Sequence, residues 1–394
     1  MKTNGFLGID IGTQGLSVIF TDKELKILAS GEGDYDMVSG LDSECYEQQP
    51  YDWENALKEA MTALREKTSS MQIDMDVLAI GISGQMHGEV LTSKDGEPVG
   101  PARLWCDGRN EAEGNELTER LGTKCPKRMT AVRWLWTIRN QPEKAAHVSH
   151  MTTPAGWIAY RLTGCWNLGI GDAAGMFPID QQSLTYNTQM LADFDAIATQ
   201  SAKKSSSSST LPKLSDLLPS VKKAGEDGGS LDAHGAQLLG LPEGIPVAPA
   251  EGDQPAALAG SLIATPGQVS MSFGTSVVAN SVGDRAFEGI SIPIDHFCAP
   301  DGRPINMVWL RNGTTAMNMA VNLFGGDFST IMPQVLAAEA DCGGLLALPF
   351  MDDEPGLGVS QGGTAMVIGL NNETATPGNA VKAMLLATIF NLRL

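Results

Sequence analysis

A strand, a Gly-Thr turn and a returning strand occur twice in this chain, and this repeat constrains the fold more than any other feature. The first copy, GIDIGTQGLSVIF, starts at Gly8, and the second, SMSFGTSVVANSV, starts at Ser270. An internal repeat of one supersecondary unit indicates two related halves. Helix and strand patterns that are mixed along the chain favour an α/β fold over a helical bundle or a β-sandwich.

The length of 394 residues exceeds what one compact core usually holds, so two domains are expected. We predict an N-terminal domain over 1–243 and a C-terminal domain over 244–394. A serine-rich insertion around 201–229 interrupts the first domain. Its composition is typical of an inert surface linker, because serine, lysine and glycine bury too little apolar area to offset chain entropy.

The charge and composition exclude several classes of partner and site. The net charge is -19 and the pI is near 4.6, which argues against nucleic acid or an anionic membrane, since both are polyanions. The sequence contains no long apolar span and no signal-peptide pattern at its start, so a cytoplasmic location is expected. The six cysteines form no C-x-x-C pair, which favours reduced thiols over a zinc site or a disulfide framework.

Three segments carry clear secondary-structure signals. Apolar residues at helical spacing over 51–70 predict a helix that is buried on one face. The run VLAIGIS, over 77–83, predicts a buried strand. Thr153 before Pro154 predicts the start of another helix, and Gly164 predicts its end.

The two Gly-Thr turns are candidate phosphate loops. Tight glycine turns expose backbone N–H groups that can hold phosphate oxygens, and a threonine hydroxyl adds a donor. This suggests Gly12 with Thr13 in the first copy and Gly274 with Thr275 in the second. Asp10, beside the first turn, can hold Mg²⁺ through the waters of the ion. Each turn alone is more often a plain hairpin, but two turns together with Asp10 favour the phosphate interpretation.

Two polar segments next to predicted strands are candidate sugar contacts. In GISGQMHGEVL a strand ends in a turn where Gln85, the Met86 backbone and His87 can meet a polyol, although a hairpin with a surface histidine is the plainer interpretation. In EGDQPAAL, Asp253 lies between a strand and a helix. It is either an N-cap or a general base at the carboxyl end of a strand.

Six motifs in this chain resemble those of the FGGY carbohydrate kinases, in the same order: GIDIGT, GQMHG, LWCDGR, GDAAGM, GDQPAA and SFGTS. The Gln-Met-His-Gly form is most similar to that of xylulokinases. The resemblance implies a two-lobed fold with mixed sheets, like that of actin and hexokinase (ribonuclease H-like). It also implies ATP and Mg²⁺ as cofactors and phosphorylation of a pentulose, with D-xylulose as the first candidate.

The resemblance also implies roles for individual residues. Asp253 corresponds to the catalytic base, and Asp10 to the carboxylate linked to magnesium. The implied sugar-binding residues are Gln85, Met86, His87, Arg128, Asp253 and Gln254. The implied ATP-binding residues are Gly12, Thr13, Gln14, Gly274 and Thr275.

Two departures from the family pattern leave alternatives open. EGDQPAA stands where xylulokinases usually carry GGDNAA, so another polyol or ketose is an alternative substrate. In the family, a glycine-rich turn that packs against adenine follows the helix GNAVKAMLLATIFNLRL, so we expect the second lobe to be incomplete. A non-catalytic sugar-binding remnant is therefore a further alternative, as is a chaperone-like ATPase of the same fold. The sequence leaves open whether the protein forms a homodimer.

Overall fold

The computed structural model describes residues 2–204, 211–263, 265–274, 276–285, 294–324 and 326–392. The chain divides into two compact units. The first comprises Met1–Leu262 and Phe297–Pro304, and the second comprises Ile263–His296 and Ile305–Leu394. Within the described ranges, no helix is both long and apolar enough to cross a membrane.

The first unit alternates strands and helices along the chain. Its strands are β1 (Lys2–Ile11), β2 (Gly15–Asp22), β3 (Ile27–Asp34), β4 (Glu47–Gln48), β5 (Asp74–Gly84), β6 (Val90–Thr92), β7 (Ala102–Arg103), β8 (His150–Thr152), β9 (Asn167–Gly169), β10 (Ile179–Asp180), β11 (Thr185–Tyr186), β12 (Ser220–Lys222) and β13 (Glu251–Gly252). Its helices are α1 (Pro50–Ser70), α2 (Glu111–Leu121), α3 (Thr130–Asn140), α4 (Pro142–Ala145), α5 (Pro154–Thr163), α6 (Ile170–Met176), α7 (Thr188–Lys204), α8 (Leu214–Leu217), α9 (Ala233–Leu239) and α10 (Asp253–Gly260).

A five-stranded sheet in the order β13-β5-β1-β2-β3 forms the centre of this unit. β1, β5 and β13 are parallel, and β2 and β3 continue the sheet as antiparallel hairpins. Ile11 and Gly252 both pair with Gly84, so the three parallel strands end at the same level. We call this level the carboxyl edge. The residues that follow β1, β5 and β13 therefore leave the sheet side by side.

Helix α1 packs against β2 and β3 with the face that the sequence predicts. Each apolar residue of that face is at most 1% exposed: Trp53, Ala56, Leu57, Ala60, Met61 and Leu64. Two glycines of β3 allow the close approach. A Cβ at Gly31 would lie 1.9 Å from the carbonyl oxygen of Ala60, and one at Gly33 would lie 2.2 Å from that of Ala56. The contact therefore requires glycine on the strand.

The predicted ends of α5 are confirmed. The side chain of Thr153 accepts a hydrogen bond from the amide of Gly156 at 3.2 Å and caps the helix. Gly164 ends the helix in the left-handed conformation, with φ of 69°.

The boundary between the units differs from the predicted one. Strand β13 joins the first sheet through its pairing with β5. The first unit consequently extends to Leu262, whereas the sequence pattern predicted a change of domain at 243/244. The restored strand pattern after the serine-rich segment marked a return to the same sheet and not the start of a new one.

The serine-rich insertion is also shorter than predicted. Residues 205–210, which contain the serine run, lie outside the described residues. Before it, Ser201 is buried in α7, and after it, Leu214 and Leu217 of α8 are at most 1% exposed in the main core. β12 then pairs with β9. The prediction of an inert linker over 201–229 is therefore wrong for these flanks, because apolar side chains anchor them.

The second unit is built on a four-stranded sheet. The remaining strands are β14 (Ser270–Phe273), β15 (Val277–Val282), β16 (Ile294–Cys298), β17 (Pro304–Leu310), β18 (Leu346–Leu348) and β19 (Met366–Ile368), and the helices are α11 (Thr314–Leu323), α12 (Phe328–Ala337) and α13 (Pro377–Asn391). The sheet order is β14-β15-β17-β16. β14 and β15 form an antiparallel hairpin, as β1 and β2 do in the first unit. Each copy of the sequence repeat is therefore a hairpin.

Substitution of Gly33 by alanine tests the contact between α1 and β3. The new methyl group would overlap a backbone oxygen that cannot rotate away, so we expect a loss of about 3 kcal/mol, the upper end of the usual cost of overpacking. Gly81→Ala in β5 is the matched control, because no atom lies within 4 Å of its Cβ position. Urea denaturation of both variants measures the difference. Equal stabilities would contradict the packing described.

Candidate functional site

Asp10 and Ser83 face each other at the carboxyl edge. They are register partners on β1 and β5, and the Ser83 hydroxyl donates to Oδ1 of Asp10 at 2.6 Å. Asp10 is exposed to solvent. The hydroxyl fixes one oxygen of the carboxylate, so the other can face a ligand at this edge.

Asp253 is the first residue of α10, directly after β13. Gly252 occupies the N-cap position, and no side chain caps the helix, so the N-cap interpretation of Asp253 is wrong. Burial raises the pKa of the Asp253 carboxyl to about 6. The amide of Gln254 donates to it at 2.7 Å and opposes this rise, while the charge of Asp10 adds to it. The two carboxylates are therefore close enough to interact.

His87 lies in the turn after β5 and is buried, not at the surface. Its Nδ1 is 3.0 Å from the carbonyl oxygen of Gly175. Because a carbonyl only accepts, Nδ1 carries the proton and Nε2 of the neutral ring is an acceptor. Burial, followed by the charges of Arg128 and Arg133, lowers the pKa of His87 well below its ordinary value. The ring is consequently neutral at pH 7.

The backbone of His87 is held in an unusual conformation. Its φ of 65° lies in the left-handed region that few residues other than glycine adopt. The carbonyl oxygen of His87 accepts from Nη1 of Arg133 at 2.6 Å and from the Thr130 hydroxyl at 3.2 Å. Both donors come from α3 and compensate for the local strain.

Two glycines give Met86 and His87 their space. A Cβ at Gly252 would lie 2.4 Å from Cγ of Met86, and one at Gly175 would lie 2.9 Å from Nδ1 of His87. The Phe297 ring lies 5.5 Å from the His87 ring, measured between centroids. Met86 is therefore packed against β13, and His87 is packed against α6.

Gln85 supports the first hairpin instead of facing outward. Its Nε2 donates to the carbonyl oxygen of Gly12 at 3.2 Å and to Oε1 of Gln48 at 2.9 Å. Nε2 of Gln48 then donates to the carbonyl oxygen of Thr13 at 2.8 Å, and Trp53 donates to Oε1 of Gln48 at 3.1 Å. Buried amides thus fix the turn between β1 and β2.

One donor at this turn differs from the predicted set of Gly12, Thr13 and Gln14. The Gly12 amide donates to the carbonyl oxygen of Gly15 at 3.0 Å, so it is used within the turn. Among the described residues, the amides of Thr13 and Gln14 make no backbone hydrogen bond. The Thr13 hydroxyl accepts from Nε1 of Trp105 at 3.1 Å and keeps its own proton to donate. Two amides and one hydroxyl are therefore available for an anion.

Gly274, in the second hairpin, uses its amide and its carbonyl oxygen within the second unit. The Gly274 amide donates to the carbonyl oxygen of Ser276 at 2.9 Å. The carbonyl oxygen of Gly274 accepts from the amide of Thr314 at 2.8 Å and from its hydroxyl at 2.9 Å. Thr275, which the sequence predicted as a phosphate contact, lies outside the described residues.

Two carboxyl groups near Asp253, the partly buried Glu251 and the buried Asp172, were missed by the sequence analysis. Glu251 accepts from the amides of Gly171 and Asp172 at 3.3 and 3.0 Å. Asp172 is fully buried, and its Oδ2 accepts from the Thr153 hydroxyl at 2.6 Å. Burial raises the pKa of Asp172 well above its ordinary value. The only signal in the sequence was the glycine-rich GDAAGM motif, which revealed no partner for Glu251.

Replacement of Gln48 by alanine tests how the first turn is held. The variant removes an acceptor that two buried donors share, and each unsatisfied group costs about 1–3 kcal/mol. We expect faster hydrogen exchange at the Gly12 amide and a lower unfolding temperature. Gln49→Ala, at the exposed neighbouring position, should change neither. Unchanged exchange in Gln48→Ala would contradict the described support.

Comparison with known proteins assigns the family. Residues 6–260 match the N-terminal domain of the FGGY family of carbohydrate kinases. The xylulose kinase of Haemophilus influenzae is 27% identical, and the alignment covers 98% of this chain and 78% of that protein. The xylulose kinase of Streptomyces coelicolor is 29% identical, with 96% and 73% covered.

Solved structures of kinases share the fold of this chain. The xylulose kinase of Rhodospirillum rubrum superimposes with a TM-score of 0.83 at 20% identity, covering 98% of this chain and 77% of that chain. The glycerol kinase of Plasmodium falciparum with ADP gives 0.80 at 21% identity, covering 99% and 77%. The predicted α/β fold of actin and hexokinase type is confirmed. The chain belongs to the FGGY family of carbohydrate kinases, which transfer a phosphoryl group to an alcohol.

Proposed function

We propose that this protein is an ATP-dependent kinase of a pentulose, and that its reaction converts D-xylulose to D-xylulose 5-phosphate. The observation that carries the proposal is the position of Asp253, a partly buried carboxylate at the carboxyl edge beside Asp10. The names of the relatives from Haemophilus influenzae and Streptomyces coelicolor support the choice of sugar.

Asp253 acts as the general base. It accepts the proton of the sugar hydroxyl while that hydroxyl oxygen attacks the terminal phosphorus of ATP. The pKa of about 6 suits this role, because the carboxyl group is ionised at pH 7 and is still a stronger base than an ordinary aspartate.

His87 and Met86 line the sugar site in this proposal. Nε2 of the neutral His87 ring accepts a hydrogen bond from a sugar hydroxyl, and Met86 offers an apolar surface to the carbon chain. The charge of Arg128 lowers the pKa of His87, so the two side chains are neighbours. Arg128 and Gln254 are proposed as further sugar contacts, and Gln85 acts through the hairpin that it supports.

Asp10 fits a magnesium ion that is held mainly by water and phosphate. In the described part of the chain, no cluster of three His, Cys, Asp or Glu residues could enclose a metal ion. Mg²⁺ usually keeps several waters and takes only one or two carboxylates in phosphate sites. A single exposed carboxylate that Ser83 fixes meets that need. When bound, the ion neutralises the charge that develops on the phosphoryl oxygens.

The turn between β1 and β2 is the proposed phosphate loop of the first unit. The amides of Thr13 and Gln14, with the Thr13 hydroxyl, are its donors, and Gly12 shapes the turn. The turn at Gly274 and Thr275 is the proposed counterpart in the second unit. A cytoplasmic location remains a prediction, and a homodimer remains an open alternative from the sequence.

A screen of acceptors tests the proposal directly. Release of ADP from ATP and Mg²⁺ is measured with pentuloses, hexuloses, gluconate and glycerol. We expect D-xylulose to give the highest kcat/KM. A higher kcat/KM for another polyol would assign a different substrate. It would agree with the departure at Gln254, which left another polyol or ketose open. Sugar binding in calorimetry without ADP release would contradict the kinase proposal.

Asp253→Ala tests the catalytic base. Loss of a general base typically lowers the rate by about 10² to 10⁴, so we expect kcat to fall by this factor while the sugar still binds in calorimetry. Asp52→Ala is the control, because Asp52 is, like Asp253, an acidic residue in the first turn of a helix. Unlike Asp253, it is exposed to solvent. Normal turnover in Asp253→Ala would refute the assigned role.

The raised pKa of Asp253 predicts the pH dependence. The base must be deprotonated, so kcat/KM for the sugar should fall as the pH drops below about 6, by tenfold per unit well below this value. A phosphate group also titrates near pH 6, so nucleotide affinity is measured over the same range as a correction. If kcat/KM, corrected for nucleotide affinity, fell only near pH 4, the raised pKa of Asp253 would be contradicted.

A further inference from the structure

We propose that Glu251 is a positioning residue that orients His87 through helix α6. This inference rests on the proposed function insofar as His87 is the sugar contact. The hydrogen bonds described for the Glu251 side chain go to α6 and not to Asp253 or His87. Glu251 therefore acts through another residue.

The first step is the contact between Glu251 and the start of α6. Oε1 accepts from the Gly171 amide at 3.3 Å, and Oε2 accepts from the Asp172 amide at 3.0 Å. The carboxylate fits only because two glycines leave room for it. A Cβ at Gly169 would lie 2.3 Å from Oε1, and one at Gly171 would lie 2.4 Å from Oε2. The chain is therefore shaped around this side chain.

The second step is the contact between the end of α6 and His87. The carbonyl oxygen of Gly175 accepts from Nδ1 of His87 at 3.0 Å. All seven residues of α6 are buried, and so short a helix moves as one body. A shift at its first turn is consequently transmitted to Gly175. The position of this carbonyl decides which ring nitrogen of His87 carries the proton.

The third step is the choice of a carboxylate at position 251. The groups that face its oxygens are backbone N–H donors, and the oxygens of a carboxylate only accept. A glutamine would turn its NH₂ group toward one of these amides and leave two donors in opposition. Asp172 fixes the same helix through the Thr153 hydroxyl, so loss of Glu251 should displace α6 without unfolding it.

Glu251 also links the sugar contact to the base. It lies on β13 two residues before Asp253. Gly252, between them, packs against Met86. One strand end therefore carries the base, the support of Met86 and the anchor of the helix that orients His87.

The test compares Glu251→Gln with Asp232→Ala. Asp232 caps α9 by accepting from the Gly235 amide at 2.8 Å, so it makes the same type of contact at a helix distant from His87 in the chain. The proton position on His87 is read from long-range ¹H–¹⁵N spectra of histidine-labelled protein, with the signal assigned by comparison with His87→Gln. KM values are measured separately for sugar and for ATP.

We expect Glu251→Gln to reduce the population protonated at Nδ1 of His87 and to raise the sugar KM at least tenfold, with the ATP KM unchanged. Asp232→Ala should change none of these. Glu251→Asp keeps the carboxyl group but withdraws it from α6, so it should give the same changes if Glu251→Gln does not fold.

The outcomes separate this inference from the proposed function. A folded Glu251 variant with unchanged proton position on His87 would overturn it, as would equal rises of both KM values. A changed proton position in a protein that phosphorylates no sugar would support the positioning role and refute the kinase proposal instead.

Discussion

The parallel pairing of β1, β5 and β13 is the constraint on which the candidate site depends. Since Ile11 and Gly252 pair with the same residue of β5, the chain leaves the sheet three times at one level. Asp10 and Asp253 are more than 240 positions apart in the sequence, yet both lie at this edge, as does the turn that carries His87. Open α/β sheets place their chemistry at the carboxyl ends of strands for this reason.

Buried and partly buried polar groups hold the loops that leave this edge. Arg133 and Thr130 fix the backbone of His87, Gln48 fixes the first hairpin, and Glu251 fixes α6. A buried polar group is costly unless its hydrogen bonds are made. Each of these interactions is therefore sensitive to the loss of one partner. Substitution of a supporting group should displace the residues at the carboxyl edge.

Local patterns predicted much of the fold. The buried face of α1 and the caps of α5 follow from helical spacing and from the short-range chemistry of Thr153 and Gly164, and both are confirmed. Long-range contacts were not accessible in the same way. The pairing of β13 with β5 and the bond from Asp172 to Glu251 join segments far apart in sequence, so the domain boundary and the role of Glu251 required the structure.

The support of the first hairpin has a consequence for recognition. Gln48, Gln85 and Trp105 already restrain the turn at Gly12 and Thr13 in the free chain. Binding of an anion at this turn does not have to order a flexible segment, so it costs less conformational entropy. A preorganised binding loop of this kind selects ligands by shape, since it cannot readily change its conformation to fit a ligand of a different shape.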